Sequence, residues 1–484
     1  MKGEVVKNYI NGRWVESKSK ETRDVISPTT GELLARTPMS TAEEAQEAIE
    51  AAKTAYERWR STPAQTRIRY LYRFRNLLED YFEELSKTIT TEHGKIIDES
   101  RGEYRRAVEN VEAAASIPTL QMGYNFEDIA AGIDEMVIKQ PLGVFFCVAP
   151  FNFPGMVPTW FWPFAIACGN TYIVKPSEQV PLSQIRQFEL IDKVGFPKGV
   201  MNLVNGGPEV VNALIKSPDT VGMSFVGSTP IGKLLYKKCG EHGKRAQVQA
   251  GAKNFITVMP DANIERTVPN LMSSFFGNTG QRCLSGAVLL AVGEVYNPLK
   301  VAVVNAAKEL VIGNGLNEDV QMGPIATKAA LKRVLGYIET GIKEGAELIL
   351  DGRNVKIPDY PKGLFIGPNI FDKVTPEMTI AKEEIFGPVM SIIHVKDLDE
   401  AIDIIHANTY GNASSVFTSS GKIARDYQYR VRAGNIGINI GIVAPIATFP
   451  FSGMKDSFFG DLHGQGKDAV DFFTENKVVI TRWF

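Results

Sequence analysis

A repeat of short apolar segments, each followed by a helical pattern, constrains the fold of this chain more than any other feature. Between residues 136 and 250 the repeated segments are GVFFCVAP, NTYIVKPS, GVMNLV and VGMSFVGS. Strands that alternate with helices predict a parallel sheet with crossover helices on its faces. Ligands of such sheets bind beyond the carboxyl ends of the strands. The polar and glycine residues at those ends are Asn152, Lys175, Glu178, Gly227 and Ser228.

A second series of strands and helices runs from FITVMP at residue 255 to about residue 440. It predicts a helix near residues 261–276, and the strand LSGAVLLAV follows Cys283. The length of 484 residues and the hydrophobic content of 44% are enough for two or three domains. We therefore expect two α/β domains, with Cys283 near their junction.

The two ends of this pattern predict further elements. Residues 40–119 are rich in helical patterns, and Ser40 and Glu43 have the spacing of a capping box before the first of them. The apolar terminal segment KVVITRWF needs a sheet edge with which to pair. Together with MVIKQP near residue 136 it could form a small β arm that is used in oligomerisation.

Charge and cysteine content exclude several classes of protein. The net charge of −2 gives no electrostatic reason to expect nucleic acid or an acidic membrane as a partner. Only four cysteines are present, and the histidines are scattered, so neither a disulfide framework nor a metal site is expected. The first residues have no apolar signal-peptide core, and no apolar stretch is long enough to span a bilayer. These features predict a soluble, cytoplasmic protein.

The segment FFGNTGQRCLSG places Cys283 among glycines and directly after Arg282. Glycines allow the backbone to come close to another group, and an arginine favours the thiolate, which is the nucleophilic form of cysteine. A structural cysteine would instead be expected in apolar surroundings. The pattern predicts that Cys283 is a catalytic nucleophile.

Three segments at strand ends each have two explanations. In APFNFP, Asn152 offers an amide donor in an apolar setting, which suits an oxyanion hole, although an Asx turn would explain it equally well. In KPSEQ, Lys175 and Glu178 could bind ribose hydroxyls or could form a solvated loop. In FVGSTPIG, Ser228 could cap a helix whose amides bind a phosphate, or could cap it without any ligand.

The order of these segments, with EEIFGP near residue 384, resembles the aldehyde dehydrogenase superfamily along nearly the whole chain. The resemblance implies an α/β fold with a Rossmann-type NAD-binding domain, an α/β catalytic domain and a small β arm for oligomerisation. The implied bounds are 1–120 and 141–250 for the NAD-binding domain, 251–445 for the catalytic domain, and 121–140 with 465–484 for the arm.

The resemblance also implies a role for each matching residue. It makes Cys283 the nucleophile and Asn152 the oxyanion donor. It assigns the NAD contacts to Ala149, Phe151, Lys175, Glu178, Gly227, Ser228, Glu384 and Phe386. Because a carboxylate at residue 178 would repel a 2′-phosphate, NAD is expected in preference to NADP.

One segment departs from the superfamily pattern. The usual ELGGK carries a glutamate that activates the hydrolytic water, whereas this chain has QAGAK with Gln249 at that place. A glutamine cannot accept a proton at neutral pH, so the base for hydrolysis is missing unless another carboxylate, such as Glu384, replaces it. A thiol such as coenzyme A could release the acyl group without that base.

Longer segments, above all FSGMKDSFFGDLHGQGKDAVDFFTENKVV, resemble the CoA-acylating methylmalonate-semialdehyde dehydrogenase subfamily. That subfamily usually has asparagine at residue 249 and tryptophan at residue 454, where this chain has Gln249 and Met454. The resemblance implies oxidation of a small acidic semialdehyde with NAD and CoA, and a homotetramer or homodimer. The alternative is a non-acylating enzyme that uses NAD or NADP and releases a free acid.

An acidic substrate predicts a guanidinium that binds its carboxylate. Arg282 is one candidate, and Arg106 in RGEYRRAVENVE is the other. Arg101 and Arg105 are rivals of Arg106 on the same predicted helix, and Arg282 could instead act only on Cys283. The sequence does not decide which semialdehyde is preferred or whether valine or inositol breakdown is served.

Overall fold

The computed structural model describes residues 3–484, which form two large sheets covered by helices, a third sheet of three strands and two small sheets of two strands each. The strands are β1 (Asn8–Ile10), β2 (Arg13–Val15), β3 (Thr22–Ile26), β4 (Leu33–Pro38), β5 (Tyr124–Ala130), β6 (Ile133–Pro141), β7 (Val144–Val148), β8 (Thr171–Lys175), β9 (Met201–Leu203), β10 (Thr220–Val226), β11 (Arg245–Gln249), β12 (Asn254–Val258), β13 (Gly286–Val292), β14 (Glu347–Leu350), β15 (Asn369–Asp372), β16 (Val389–Val395), β17 (Tyr410–Gly411), β18 (Ala413–Phe417), β19 (Asn435–Ile438), β20 (Met454–Lys455), β21 (Phe458–Phe459) and β22 (Thr474–Arg482). The α-helices are α1 (Ala42–Trp59), α2 (Ala64–Asp80), α3 (Phe82–His93), α4 (Ile97–Ala114), α5 (Ile117–Leu120), α6 (Trp162–Cys168), α7 (Leu182–Val194), α8 (Pro208–Lys216), α9 (Thr229–Glu241), α10 (Ile264–Phe276), α11 (Tyr296–Lys308), α12 (Lys328–Lys343), α13 (Thr379–Lys382), α14 (Leu398–Ala407), α15 (Gly421–Arg430) and α16 (Gly466–Phe472).

The first large sheet has the strand order β2-β1-β9-β8-β7-β10-β11-β21, and its five central strands are parallel. Strand β8 is buried along its whole length, as expected for a parallel strand that is covered on both faces. From β7 the chain first adds β8 and β9 on one side and later adds β10 and β11 on the other. The order therefore reverses between β7 and β10, and ligands of open α/β sheets bind at such a reversal.

The second large sheet has the order β14-β15-β16-β13-β12-β18-β19, in which only the edge strand β14 is antiparallel. The helix expected near residues 261–276 is α10, and the strand expected after Cys283 is β13. The fold is therefore of the α/β class, as predicted from the sequence. The residues between α10 and β13 form the loop that carries Cys283.

The third sheet is antiparallel and has the order β22-β6-β5, with β22 paired to β6 from Thr474 to Arg482. It leaves apolar side chains on the surface, among them Tyr124, Phe126, Val478 and Ile480. Helix α16 lies in the segment that we assigned to the arm, but its residues Ala469, Val470 and Phe472 are buried in a core that includes residues of β7 and β8. The exposed sheet therefore begins only after this helix.

Two local details differ from the prediction or limit it. The capping box before α1 is formed by Thr41 and Glu44, one residue later than expected. The side chain of Ser40 instead accepts a hydrogen bond from Asn8. Within residues 3–484, the helices are all too short or too polar to cross a membrane.

Candidate active site

The loop that carries Cys283 has an unusual backbone. Asn278, Thr279 and Gly280 have φ angles of 51°, 52° and 70°, all in the left-handed region. A Cβ atom on Gly280 would lie 2.2 Å from the carbonyl oxygen of Gly387, so only glycine fits at this position. Such a left-handed run costs energy and persists where its surroundings enforce it, which is common at functional sites.

The backbone of Cys283 is fixed by two side-chain amides. Asn254 and Asn412 each donate a hydrogen bond of 2.8 Å to its carbonyl oxygen. The side chain lines a cavity of about 240 Å³. Other residues that line this cavity are Glu99, Glu103, Arg106, Asn110, Phe153, Met156, Trp160, Arg282, Phe451 and Gln465.

The Cys283 side chain is half-buried, and burial and two nearby charges act on the pKa of its thiol. Burial raises this pKa to about 12, the Arg282 guanidinium lowers it and Glu384 raises it further. The arginine therefore acts in the predicted direction, towards the thiolate, while loss of hydration acts against it.

Asn152 follows β7 and reaches across to the loop of Cys283. Its Nδ2 atom donates a hydrogen bond of 3.1 Å to the carbonyl oxygen of Gln281, two residues before the cysteine. This contact joins the segment after β7 to the loop of Cys283, and it is not the local Asx turn that was the alternative. An amide nitrogen has two hydrogens, so one remains for a further acceptor.

One face of helix α4 forms a wall of the cavity. Glu99, Glu103, Arg106 and Asn110 are spaced so that they lie on the same side of this helix. Arg106 also forms an ion pair of 2.8 Å with Glu109. The Oδ1 atom of Asn110 is buried without a hydrogen-bond partner in the described part of the chain.

The two rival arginines on α4 lie elsewhere. Arg101 forms ion pairs with Glu83, Asp98 and Glu318 at the surface. Arg105 pairs with Glu79, and both side chains are partly exposed. Of the three arginines, only Arg106 lines the cavity.

Arg282 has one nitrogen that is available for a ligand. Its Nη2 atom lies 3.3 Å from Glu99 Oε1, and only 13% of its side chain is exposed. Its Nη1 atom is buried and has no hydrogen-bond partner among residues 3–484. A buried guanidinium hydrogen without a partner is costly, and an anionic group would satisfy it.

Gln249 ends strand β11, where it is almost fully buried and pairs with Val226 and Phe458 of the neighbouring strands. Its Nε2 atom has no hydrogen-bond partner within the part of the chain that the structure describes. Gly464 and the ring of Phe161 are close to this nitrogen: a Cβ atom built on Gly464 would lie 2.8 Å from Phe161 Cε1 and 3.5 Å from Gln249 Nε2. The groups in contact with Gln249 are thus apolar side chains and backbone atoms.

Lys175 and Glu178 lie together at the end of β8. Lys175 Nζ is 3.1 Å from Glu178 Oε2, and Arg23 Nη1 is 2.9 Å from the other carboxylate oxygen. Burial raises the pKa of Glu178, but Lys175 and Arg23 outweigh burial, so this pKa is below its usual value. Glu178 is thus a carboxylate that can accept hydroxyl groups. Sequence reasoning did not find Arg23, which is distant in the chain.

The turn after β10 differs from the prediction in its details. Ser228 occupies the position before α9, but its side chain makes no capping hydrogen bond. The hydroxyl of Thr229 instead accepts a bond of 2.9 Å from the Gly251 amide. A Cβ atom on Gly227 would lie 2.5 Å from Phe225 Cζ, so this turn needs a glycine. The first amides of α9 are left for a ligand.

Three further predicted contact residues lie around the same edge. The Ala149 amide donates to the carbonyl of Lys175 at 3.0 Å, which ties the ends of β7 and β8 together. The ring of Phe151 lies between His93 and Phe386, with ring centroids 6.1 and 5.9 Å away. Phe386 has a left-handed backbone with a φ of 58°.

Glu384 accepts a hydrogen bond of 2.9 Å from the Ala252 amide, and burial raises the pKa of its carboxyl. The neighbouring Lys253 is fully buried, and its Nζ has no hydrogen-bond partner in the described residues. Burial lowers the pKa of Lys253 to about 7, although Glu384 and Glu383 raise it. This half of the site therefore contains titratable groups with little access to water.

Several side chains that shape the site were not found from the sequence. They are Lys95, Glu99, Glu103, Asn110, Asn254, Asn278 and Asn412. The spacing of Glu99, Glu103, Arg106 and Asn110 on one helical face was a usable signal. The other side chains come from loops and strand ends without a local pattern.

Comparison with known proteins places this site in a family. Residues 14–479 match the aldehyde dehydrogenase family. Malonate-semialdehyde dehydrogenase 2 of Geobacillus kaustophilus is 47% identical over 481 residues, which are 99% of each chain. Malonate-semialdehyde dehydrogenase of Halalkalibacterium halodurans is 46% identical over 481 residues, again 99% of each chain.

Solved structures give the same result. The crystal structure of methylmalonate-semialdehyde dehydrogenase from Oceanimonas doudoroffii matches with a TM-score of 0.98 and 40% identity, covering 100% of this chain and 99% of that one. A Sinorhizobium meliloti protein, which is described as a methylmalonate-semialdehyde dehydrogenase and is complexed with NAD, matches with a TM-score of 0.98 and 39% identity. That match covers 100% of this chain and 98% of the other.

We expect the rate of Cys283 alkylation by iodoacetamide to rise by about tenfold per pH unit between pH 7 and pH 10. The reason is that burial raises the pKa of the thiol to about 12, so the thiolate fraction increases over this whole range. The measurement is incorporation of the label at residue 283 by mass spectrometry, with Cys283→Ala as the background. A plateau below pH 8 would show that the thiolate already predominates in the free protein.

Proposed function

The chain belongs to the aldehyde dehydrogenase family, and from its active site and its relatives we propose the reaction that it catalyses. It oxidises malonate semialdehyde or methylmalonate semialdehyde with NAD and CoA, and it forms acetyl-CoA or propionyl-CoA, CO2 and NADH. One observation carries this proposal: Cys283 and Arg282, whose buried Nη1 atom has no hydrogen-bond partner within residues 3–484, line the same small cavity. The names of the relatives give the substrate class.

The residues at the edge of the first sheet fit a dinucleotide. Lys175 and Glu178 offer a donor and a carboxylate for ribose hydroxyls, and the uncapped start of α9 offers amides for a phosphate. Glu384 is close enough to Cys283 to raise the pKa of its thiol, and the rings of Phe151 and Phe386 pack against each other. When bound, NAD supplies the acceptor for the hydride that leaves the aldehyde carbon.

The first chemical step is attack of Cys283 Sγ on the aldehyde carbon, and the thiol proton passes to solvent. The oxygen of the aldehyde becomes negatively charged and is held by Asn152 Nδ2 and by the backbone amide of Cys283. Because Asn152 is fixed to the Gln281 carbonyl, its second amide hydrogen needs little reorganisation. Loss of hydride then leaves an acyl thioester on Cys283.

The carboxylate of the substrate is bound by Arg282, with Arg106 on the facing helix α4. The unpaired Nη1 atom of Arg282 gains the partner that it lacks in the free protein. After oxidation the malonyl-type thioester loses CO2, and the electron pair of the broken carbon–carbon bond forms an enolate. The oxyanion donors hold this enolate until its carbon takes up a proton.

Release of the acyl group by CoA follows from the residue at position 249. A glutamine cannot remove a proton from water, so hydrolysis of the thioester is slow. The CoA thiolate attacks the carbonyl carbon, the bond to Cys283 Sγ breaks, and acyl-CoA leaves. The sum balances: malonate semialdehyde, CoA and NAD⁺ give acetyl-CoA, CO2 and NADH.

We also assign oligomerisation to the third sheet. The exposed apolar side chains of β5 and β22, such as Phe126 and Ile480, are 67% and 66% exposed, which is unusual for large apolar residues on a free surface. A second copy of the chain would cover them in a homodimer or a homotetramer. Light scattering on the chain and on Phe126→Asp/Ile480→Asp tests this, and an unchanged mass would refute it.

Without CoA, the protein is expected to release a burst of about one NADH per active site and then to turn over slowly. Adding CoA should raise the steady rate and yield acyl-CoA. Gln249→Glu should increase the CoA-independent rate, since general-base help is worth about 10²–10⁴-fold. The rates are followed by stopped-flow absorbance of NADH, and products are identified by mass spectrometry.

The matched control for this experiment is Gln249→Asn, which changes the length of the side chain but adds no base. It should not raise the rate without CoA. If the native protein turns over equally fast with and without CoA and releases free acid, the acylating assignment is wrong. Another carboxylate, with Glu384 as the first candidate, would then be the base.

Arg282→Leu and Arg106→Leu are each expected to raise KM for malonate semialdehyde by about 10- to 100-fold, because a charge-assisted hydrogen bond to the carboxylate is lost. KM for propanal, which has no carboxylate, should change by less than about threefold. Arg101→Leu, which breaks only surface ion pairs on α4, is the control. Equal losses on both aldehydes would mean that the arginines act on Cys283 or on the fold.

Glu178→Gln is expected to raise KM for NAD by about tenfold or more, since a charged acceptor of ribose hydroxyls is lost. It should also reduce the preference for NAD over NADP, because the repulsion of a 2′-phosphate disappears. Arg23→Gln is the control, because it leaves the carboxylate in place. An unchanged ratio of kcat/KM for the two cofactors would place Glu178 outside the ribose site.

A further inference from the structure

A fully buried ion pair lies beside the oxyanion donor and has no role in the steps above. Lys95 Nζ and Glu103 Oε2 are 2.7 Å apart, and both side chains have no exposed surface. Removing two charges from water is costly, and such a pair persists only when further hydrogen bonds satisfy its remaining atoms. The partners of those atoms therefore show what the pair holds in place.

The remaining atoms of both groups bind the loop that contains Asn152. Lys95 Nζ donates a hydrogen bond of 2.6 Å to the carbonyl oxygen of Asn152 and lies 3.8 Å from the ring centroid of Phe153. Glu103 Oε1 accepts bonds of 2.7 and 3.0 Å from the amides of Gly155 and Met156. Two charged groups thus fix both ends of a five-residue loop.

The backbone beside Lys95 is fixed in turn by the other domain. The Ile97 amide donates a hydrogen bond of 2.7 Å to the carbonyl oxygen of Gly315. A Cβ atom on Gly323 would lie 2.0 Å from the carbonyl oxygen of Gly94, so the two segments are in direct backbone contact. Lys95 consequently links the oxyanion donor to the same domain that carries Cys283.

Oxyanion donors act only when they lie about 2.7–3.1 Å from the charge that develops. A displacement of about 1 Å can cost on the order of 100-fold in rate. The Asn152 side chain has one fixed contact, to the Gln281 carbonyl, so its direction depends on the position of its own backbone. That backbone carbonyl is the group that Lys95 binds.

We propose that Lys95 and Glu103 are positioning residues, which hold the backbone of Asn152 so that its side-chain amide points at the aldehyde oxygen on Cys283. Both side chains have no exposed surface, although Glu103 belongs to the α4 face that lines the cavity, and the pair acts through the backbone of Asn152. This inference rests on the proposed function only for the cysteine and the oxyanion donor, and not for the acidic substrate or for CoA.

The test is a double-mutant cycle between Lys95→Met and Asn152→Ala. The measured quantity is the rate of the NADH burst with propanal and no CoA, so that neither the carboxylate nor the acyl acceptor takes part. Lys95→Met should slow the burst by about 10- to 100-fold in the native background and by less than about twofold in the Asn152→Ala background. A purely structural role would slow both by the same factor, and that result would overturn the proposal.

Two further measurements keep a structural effect apart from a positioning effect. The Kd of NAD and the rate of Cys283 alkylation should each change by less than about twofold in Lys95→Met. Arg105→Met removes a surface ion pair of α4, the helix that carries Glu103, and it should leave the burst rate unchanged. A loss of NAD binding equal to the loss of rate would contradict the proposal.

If Lys95→Met does not fold, Glu103→Gln takes its place in the same cycle. The glutamine oxygen can still accept the hydrogen bonds from the Gly155 and Met156 amides, whereas the charge that pairs with Lys95 is lost. The burst should then slow only when Asn152 is present, and a loss independent of Asn152 would again overturn the proposal. Absence of any burst in the native protein would instead refute the proposed function.

Discussion

The candidate active site depends on one carbonyl oxygen that accepts hydrogen bonds from two asparagines far apart in the sequence. The carbonyl of Gln281 binds Asn152 Nδ2 at 3.1 Å and Asn278 Nδ2 at 2.8 Å. Asn152 lies after β7 of the first large sheet, whereas Asn278 belongs to the loop of Cys283. The side chain of Gln281 is buried as well and accepts a bond of 2.9 Å from the Ala326 amide. Hydride transfer needs the cysteine, the oxyanion donor and the cofactor edge in one place, and this carbonyl joins the first two.

Burial is the second physical condition that governs the chemistry of the site. It raises the pKa of Cys283 and of Glu384 and lowers the pKa of Lys253, so each of these groups is shifted towards its neutral form. In a medium of low polarity the remaining charges act strongly on one another. Arg282 therefore acts on the pKa of the Cys283 thiol, although its Nη2 atom already faces Glu99. The same condition applies to Gln249, which is neutral and almost fully buried. Neither its side chain nor bulk water can therefore act as a base at this place.

Much of the fold was predictable because it depends on local patterns. The alternation of apolar runs and helical periods predicted the parallel sheet of β7 to β11, and the helix and strand on either side of Cys283 were placed correctly. The predictions were weaker where two local signals competed. The capping box before α1 is one residue later than expected, where Ser40 accepts a hydrogen bond from the distant Asn8, and Ser228 makes no capping hydrogen bond at α9. The segment near residue 466 looked like part of the arm, but its apolar face is buried in the core.

The sequence by itself determined which groups are the candidates for the reaction: a cysteine among glycines, an asparagine and a lysine–glutamate pair at strand ends, and a glutamine where an acid was expected. These can be read from the chain because each is marked by its immediate neighbours and by the order of the motifs. Only the tertiary structure decided which arginine of α4 lines the cavity, that burial opposes the effect of Arg282 on the Cys283 thiol, and that Lys95 and Glu103 bind the loop of Asn152. The physical reason is that burial and pairing depend on segments far apart in the chain, and no local pattern records which of them meet.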